Sequence, residues 1–112
     1  SCSANEVIEV IDENEGLLLV HFTSTLASSS EFVKKELELI APLFEGSLAI
    51  VEVEMPLQEL ELIKSYRLEE IPTLILFGGS EEVERFEKIC LPEELKELLE
   101  AAVSFYYGIR LD

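Results

Sequence analysis

A cluster of three serines at positions 28–30 is the part of the chain best placed for nucleophilic chemistry. It follows an apolar run that contains His21, the only histidine in the chain. A serine becomes a nucleophile when a neighbouring base is held in place by a third group. The alternation of His21 with Val20 and Phe22 instead predicts a buried histidine whose polar groups are satisfied, and no glycine elbow of the hydrolase type is present. Serines just before Glu31 are also typical helix caps, so we predict no catalytic residue here.

The two cysteines, Cys2 and Cys90, are far apart and have no recognisable spacing. A zinc site needs several cysteine or histidine ligands close together, so the sequence predicts no metal and no cofactor. Two isolated thiols are typical of a reducing compartment, and the first residues do not form a charged and then apolar leader. We therefore expect a cytoplasmic protein.

The charge of the chain is strongly negative. Its 112 residues include 24 acidic and 8 basic side chains, which gives a net charge of −16. Such a chain repels phosphate backbones and anionic membrane surfaces, so we expect neither nucleic acid nor membrane as a partner. No apolar run approaches the ~20 residues of a spanning helix. The acidic residues either keep helix surfaces solvated or steer a basic partner.

Hydrophobic periodicity predicts the element order α-β-α-β-α-β-β-α. The predicted helices cover about 4–14, 28–44, 57–66 and 92–103, and the predicted strands cover 17–22, 48–54, 73–77 and 82–87. Pro42 is expected to bend or tighten the last turns of the second helix, and Gly46 to end it.

Two of these helices have apolar residues that we expect to face the core. In the second helix they form a broad stripe: Phe32, Val33, Leu37, Leu39, Ile40, Leu43 and Phe44. In the last helix the buried face is predicted to be Leu95, Leu98, Leu99, Ala102 and Val103. Three aromatic residues and Ile109 then follow, in an aromatic tail over 104–112 that either caps the core or forms an exposed patch for association.

The segment from Tyr66 to Leu74, with the sequence Tyr-Arg-Leu-Glu-Glu-Ile-Pro-Thr-Leu, resembles the cis-proline segment of thioredoxins. The resemblance covers about residues 15–102 of a single domain spanning 1–112. It implies an α/β thioredoxin-like fold with a central four-stranded mixed sheet flanked by helices. Thioredoxins usually have one more strand before the first helix, and we find none here. They also place a Cys-x-x-Cys pair at the start of the helix after the first central strand, where this chain has Ala27 and Ser30.

The same resemblance implies a binding groove on both sides of the predicted cis-proline. The backbone of Ile71 would pair with an extended polypeptide, in the manner of strand addition. Lys88-Ile89-Cys90 replaces the small glycine of thioredoxins and could crowd this groove. The predicted binding residues are Ala27, Ser28, Ser29, Ser30, Ile71, Pro72 and Thr73.

Two functions of different classes follow from this sequence. The first is a redox-inactive thioredoxin-like module that binds a protein or peptide partner, or itself as a homodimer, through the groove or the C-terminal tail. The second is a thiol–disulfide oxidoreductase whose active-site cysteines at 27 and 30 were replaced. A structural subunit of a larger assembly, without any groove ligand, is a third possibility. As written, the chain has neither of the two thiols that dithiol exchange requires at this helix start, and Cys2 and Cys90 are far from it in sequence.

Overall fold

The computed structural model of this chain describes residues 4–24, 28–55, 64, 66–68, 73–86 and 92–108. Their elements, in chain order, are α1 (Ala4–Glu13), β1 (Leu17–Thr23), α2 (Ser28–Ile40), a 3₁₀ helix (Ala41–Phe44), β2 (Ala49–Glu54), β3 (Thr73–Gly78), β4 (Glu81–Phe86) and α3 (Pro92–Tyr107). The predicted order is confirmed for these elements. The helix expected over 57–66 lies outside the described residues, except for Lys64 and Tyr66, which are both helical.

The four strands form one mixed sheet in the order β2-β1-β3-β4. Strand β1 pairs with β2 in parallel and with β3 antiparallel, and β3 pairs with β4 antiparallel. All seven residues of β1 are buried, as the continuous apolar run predicted, because β1 lies in the middle of a sheet that is covered on both faces.

A hydrophobic core lies on each face of the sheet, because successive strand residues point to opposite faces. On one face α2 and α3 pack against Leu17 and Leu19 of β1 and against Leu74 and Leu76 of β3. On the other face α1 packs against the alternate residues of the same two strands, and Tyr66 and Leu68 extend this second core.

The broad apolar stripe predicted for α2 is too wide. Val33, Leu37 and Ile40 are buried, but Leu39 is 73% exposed, and Phe32 and Leu43 are also exposed. Each residue of a helix turns by about 100°, so Leu39 lies well to one side of Ile40 and cannot share its contact with the sheet. The expected tightening is confirmed, since the α-helix ends at Ile40 and a 3₁₀ helix containing Pro42 follows.

Helix α3 is longer than predicted and includes the first part of the expected aromatic tail, which was predicted to follow the helix. The helix continues to Tyr107, so residues 104–107 are helical, whereas Ile109 lies outside the described residues. Leu95 and Leu99 are buried as predicted, but Leu98 is 46% exposed. Leu98 is therefore not part of the buried face.

Candidate functional site

The predicted site lies at the edge of the sheet where β1 ends and β3 begins, which we name the site edge. Thr73 opens β3, is fully buried and lies opposite Phe22 of β1. Helix α2 begins at Ser28, shortly after β1 ends at Thr23. The described part of the chain therefore brings the start of the serine helix and the residue after the proline to the same edge. Three other predicted binding residues, Ala27, Ile71 and Pro72, lie outside the described residues.

His21 is buried just below the site edge. Its neighbours in the sheet register are Glu52 of β2 and Leu74 of β3, and its solvent exposure is zero. Burial first, and the positive charge of Lys34 second, lower the pKa of His21 to about 4. The imidazole is therefore neutral near pH 7. The predicted burial of His21 is confirmed.

The hydrogen bonding of the His21 ring differs from the prediction. Neither Nδ1 nor Nε2 has a hydrogen-bond partner among the described residues, although the sequence suggested a satisfied histidine. A catalytic base needs a third group that orients it, and no such bond is present in the described part of the chain. That His21 does not activate a serine stays a prediction.

Arg85 connects the segment that leads into the site to the edge strand. Its Nε donates to Oε2 of Glu82 at 3.0 Å, and its Nη2 donates to Oε1 of Glu82 at 2.7 Å. Its Nη1 donates to the carbonyl of Arg67 at 2.9 Å, and Nη2 also donates to the carbonyl of Tyr66. The hydrogen bonds from Arg85 hold the pKa of Glu82 below its usual value.

This role of Arg85 was not visible in the sequence, where Arg85 is one residue of the strand predicted over 82–87. Arg67 has a φ of 50°, which is uncommon for a residue with a side chain. A guanidinium group has enough donors to hold both the carboxylate and the two carbonyls of this turn. Arg85 therefore fixes the backbone a few residues before the predicted cis-proline.

Several segments are connected by hydrogen bonds at the end of the sheet away from the site edge. We name this end the tyrosine end. Nδ2 of Asn14 donates to the carbonyls of Gly16 and Gly79, each at 2.7 Å. The backbone N–H of Leu17 donates to Oη of Tyr107 at 3.1 Å. A Cβ on Gly16 would lie 2.7 Å from that oxygen, so the close approach of the tyrosine requires glycine at this position.

An apolar groove lies between β4 and α3, on the face of the sheet that α3 covers. We name it the β4–α3 groove. It has a volume of about 340 Å³, its floor includes Leu17 and Leu76, and its walls include Val83, Leu98 and Phe105. The side chain of Phe105 is 90% exposed, and Leu98 and Val83 are exposed as well. Sequence reasoning had identified the aromatic residues but not the strand that faces them.

The described residues contain no cluster of histidine, cysteine or acidic side chains that could hold a metal ion. Within the same residues, no helix is both long enough and apolar enough to cross a membrane.

The mixed four-stranded sheet, with α2 and α3 on one face and α1 on the other, forms a thioredoxin-like α/β fold. The structure is similar to that of a mutant thioredoxin from Halobacterium salinarum NRC-1, with a TM-score of 0.72 and 22% sequence identity. The match covers 87% of this chain and 82% of that thioredoxin, which confirms the predicted fold. No protein-family model matches the sequence, and no curated protein matches it either.

Proposed function

We propose that this chain is a thioredoxin-like module that binds a polypeptide and carries out no dithiol exchange. The sequence supports the second half of this proposal. Exchange chemistry needs a thiolate and a second thiol within reach, and positions 27 and 30 hold alanine and serine. A serine hydroxyl cannot replace either sulfur, since it forms no disulfide.

The observation that carries the first half is the β4–α3 groove. Large apolar side chains that line a concave surface and remain in water are typical of a binding surface for another molecule. Phe105 is 90% exposed and Leu98 is 46% exposed, although Leu95 and Leu99 of the same helix are buried. The predicted groove around Ile71 and Pro72 is a second contact surface within this proposal, where a bound segment would pair with the backbone of Ile71.

Insulin-disulfide reduction tests the redox half of the proposal. The chain as written is expected to show no activity above the dithiothreitol background. Activity of this chain would overturn the proposal. The double variant Ala27→Cys/Ser30→Cys is the matched comparison, and rates typical of a thioredoxin in that variant would favour an oxidoreductase ancestor with replaced cysteines.

Selection from a random-peptide display library tests the binding half. We expect the selected peptides to bind with micromolar affinity and to lose affinity for Phe105→Ser but not for Leu39→Ser. The second variant removes another exposed apolar side chain, Leu39 of α2, which is 73% exposed and lies outside the groove. A selection that enriches no binding peptide would overturn the polypeptide-binding function. Peptides that bind both variants alike would place the contact elsewhere and remove the groove from the proposal.

A further inference from the structure

We propose that the β4–α3 groove binds a basic amphipathic helix of another polypeptide. This inference rests on the proposed function and names the chemistry of the partner. It combines three observations: an apolar groove, an acidic rim and an interrupted strand edge.

The apolar part of the groove matches two turns of a helix. Leu98, Ala101 and Phe105 lie at positions i, i+3 and i+7 of α3 and therefore share one face of that helix. From Leu98 to Phe105 this face is about 10 Å long, which is close to two helical turns. Two or three apolar side chains at helical spacing on a partner would fill a groove of this length.

The rim of the groove is acidic. Glu84 of β4 lines the groove, and Glu94 lies one turn before Leu98 on the same face of α3. Both glutamates are exposed. Arg85 is on the opposite face of the sheet, bonded to Glu82, and Lys96 lies about 160° around α3 from Leu98. Within the described residues, the groove therefore has nearby negative charge and no cation to balance it.

The edge of β4 favours a helix over an added strand. Glu84 pairs with Leu76 and Glu82 pairs with Phe77, so Val83 is an extra residue that forms a bulge. A bulge interrupts the row of N–H and C=O groups that an added strand would need. It also brings Val83 and Glu84 onto the same groove, which gives that groove one apolar and one acidic contact from successive residues.

A second copy of this chain is a poor occupant. Each copy has a net charge of −16, and pairing of two grooves would bring their glutamate rims together. Like charges at such a contact oppose association, whereas lysine and arginine on a partner would complement the rim. The charge therefore selects a basic partner.

Binding of a designed peptide tests this inference. The probe is a synthetic helix with leucines on one face, lysines on the other and one tryptophan among the leucines. The chain itself has no tryptophan, so a blue shift of the emission reports burial of the probe alone. Two control peptides replace every lysine with glutamate, or every leucine with alanine. Circular dichroism checks that each protein variant is folded.

Two matched pairs of protein variants distinguish binding in the groove from a general effect of the net charge on binding. Phe105→Ser is expected to weaken binding of the lysine probe about tenfold, as removal of a central apolar anchor does, while Leu39→Ser changes it less than about twofold. Glu94→Gln is expected to weaken it about threefold, while Glu38→Gln on α2, with the same change in net charge, has a smaller effect.

Several outcomes would overturn the inference. They are no binding of the lysine probe, equal binding to Phe105→Ser and Leu39→Ser, or equal binding of the glutamate probe. A dimer in sedimentation equilibrium that dissociates in Phe105→Ser would show that a second copy fills the groove, and would also overturn it. If display-selected peptides need Phe105 but carry no basic residues, the inference fails and the polypeptide-binding function stands. If the display selects nothing, both fail.

Discussion

The two ends of the sheet treat buried polar groups in opposite ways. At the tyrosine end, the side-chain amide of Asn14 and the N–H of Gly79 both donate to the carbonyl of Gly16, and Tyr107 accepts from Leu17. Near the site edge, His21 is fully buried and both its ring nitrogens lack a partner within the described residues. The contrast is between these partnered groups at the tyrosine end and the one desolvated ring near the site edge.

We expect this difference to affect how much each end of the sheet contributes to the stability of the fold. A partnered buried group contributes modestly, but an unpartnered one costs the full price of its desolvation. The tyrosine end therefore stabilises the sheet, and His21 weakens it near the predicted binding site. Four changes test this comparison between the two ends of the sheet.

Replacing Asn14 with aspartate is expected to have the largest effect. The carboxylate would present an acceptor to the two carbonyls that now accept from Nδ2, so two bonds would become repulsive contacts. We expect Asn14→Asp to lower the free energy of unfolding by about 3 kcal/mol at pH 7, and Asn14→Ala by about 2 kcal/mol. Urea denaturation followed by circular dichroism measures both. If the two variants were equally stable, the amide would not be the donor to these carbonyls.

The bond network of Asn14 also shows what the sequence could not predict. The strands β1 and β3 were predictable because their apolar runs need only local information. Asn14 binds Gly79, which is 65 residues away in the chain, so its role depends on the turn between β3 and β4 being already in place. A single asparagine after a helix carries no sign of such a partner.

The candidate site was predictable to a similar, limited extent. The sequence placed the start of α2 and the start of β3 at the same edge, because strand order and direction follow from the fold. It did not predict the groove, since the bulge at Val83 and the exposure of Leu98 depend on how β4 and α3 pack. The apolar residues of an amphipathic helix define its buried face only to within a wide arc, and Leu98 lies at the margin of that arc.

The second change is a fall in pH, which tests His21 directly. The folded pKa of His21 is about 4, below the ordinary value of 6.5, so the unfolded chain binds the proton first as the pH falls. Stability is therefore lost from about pH 6.5 downwards, and we expect a loss of about 2 kcal/mol between pH 7 and pH 5 from this group.

The sign of this pH effect can be isolated because the chain has one histidine. At each pH, we take the difference between the free energy of unfolding of the wild type and that of His21→Leu. The contribution of the carboxylates cancels in this difference. This difference should fall with decreasing pH, and an NMR titration of the single imidazole should give a pKa near 4. A titration near 6.5 would show that the ring is solvated or partnered in solution.

The third change is His21→Leu at pH 7, where the histidine is neutral in both states. Removing two desolvated nitrogens from an apolar layer is expected to raise the free energy of unfolding by about 1–2 kcal/mol. The same denaturation experiment measures it. The matched variant His21→Gln keeps polar atoms in the same place and should not stabilise the fold. Destabilisation by His21→Leu would show that the imidazole stabilises the fold, contrary to this expectation.

The fourth and smallest change removes a single hydroxyl from the tyrosine end. The N–H of Leu17 donates to Oη of Tyr107 at 3.1 Å, whereas the hydroxyl of Tyr106 donates to the carbonyl of Glu15 over a longer 3.5 Å and is exposed. We expect Tyr107→Phe to lower the free energy of unfolding by about 1 kcal/mol and Tyr106→Phe to leave it almost unchanged. The two rings pack edge to face, so each variant keeps the aromatic contact and removes only an oxygen. Hydrogen exchange at the Leu17 amide sharpens the test, because it should become faster in Tyr107→Phe alone. Equal protection of that amide in both variants would mean that the end of α3 packs against β1 without bonding to it, and the contrast between the two ends of the sheet would then depend on Asn14.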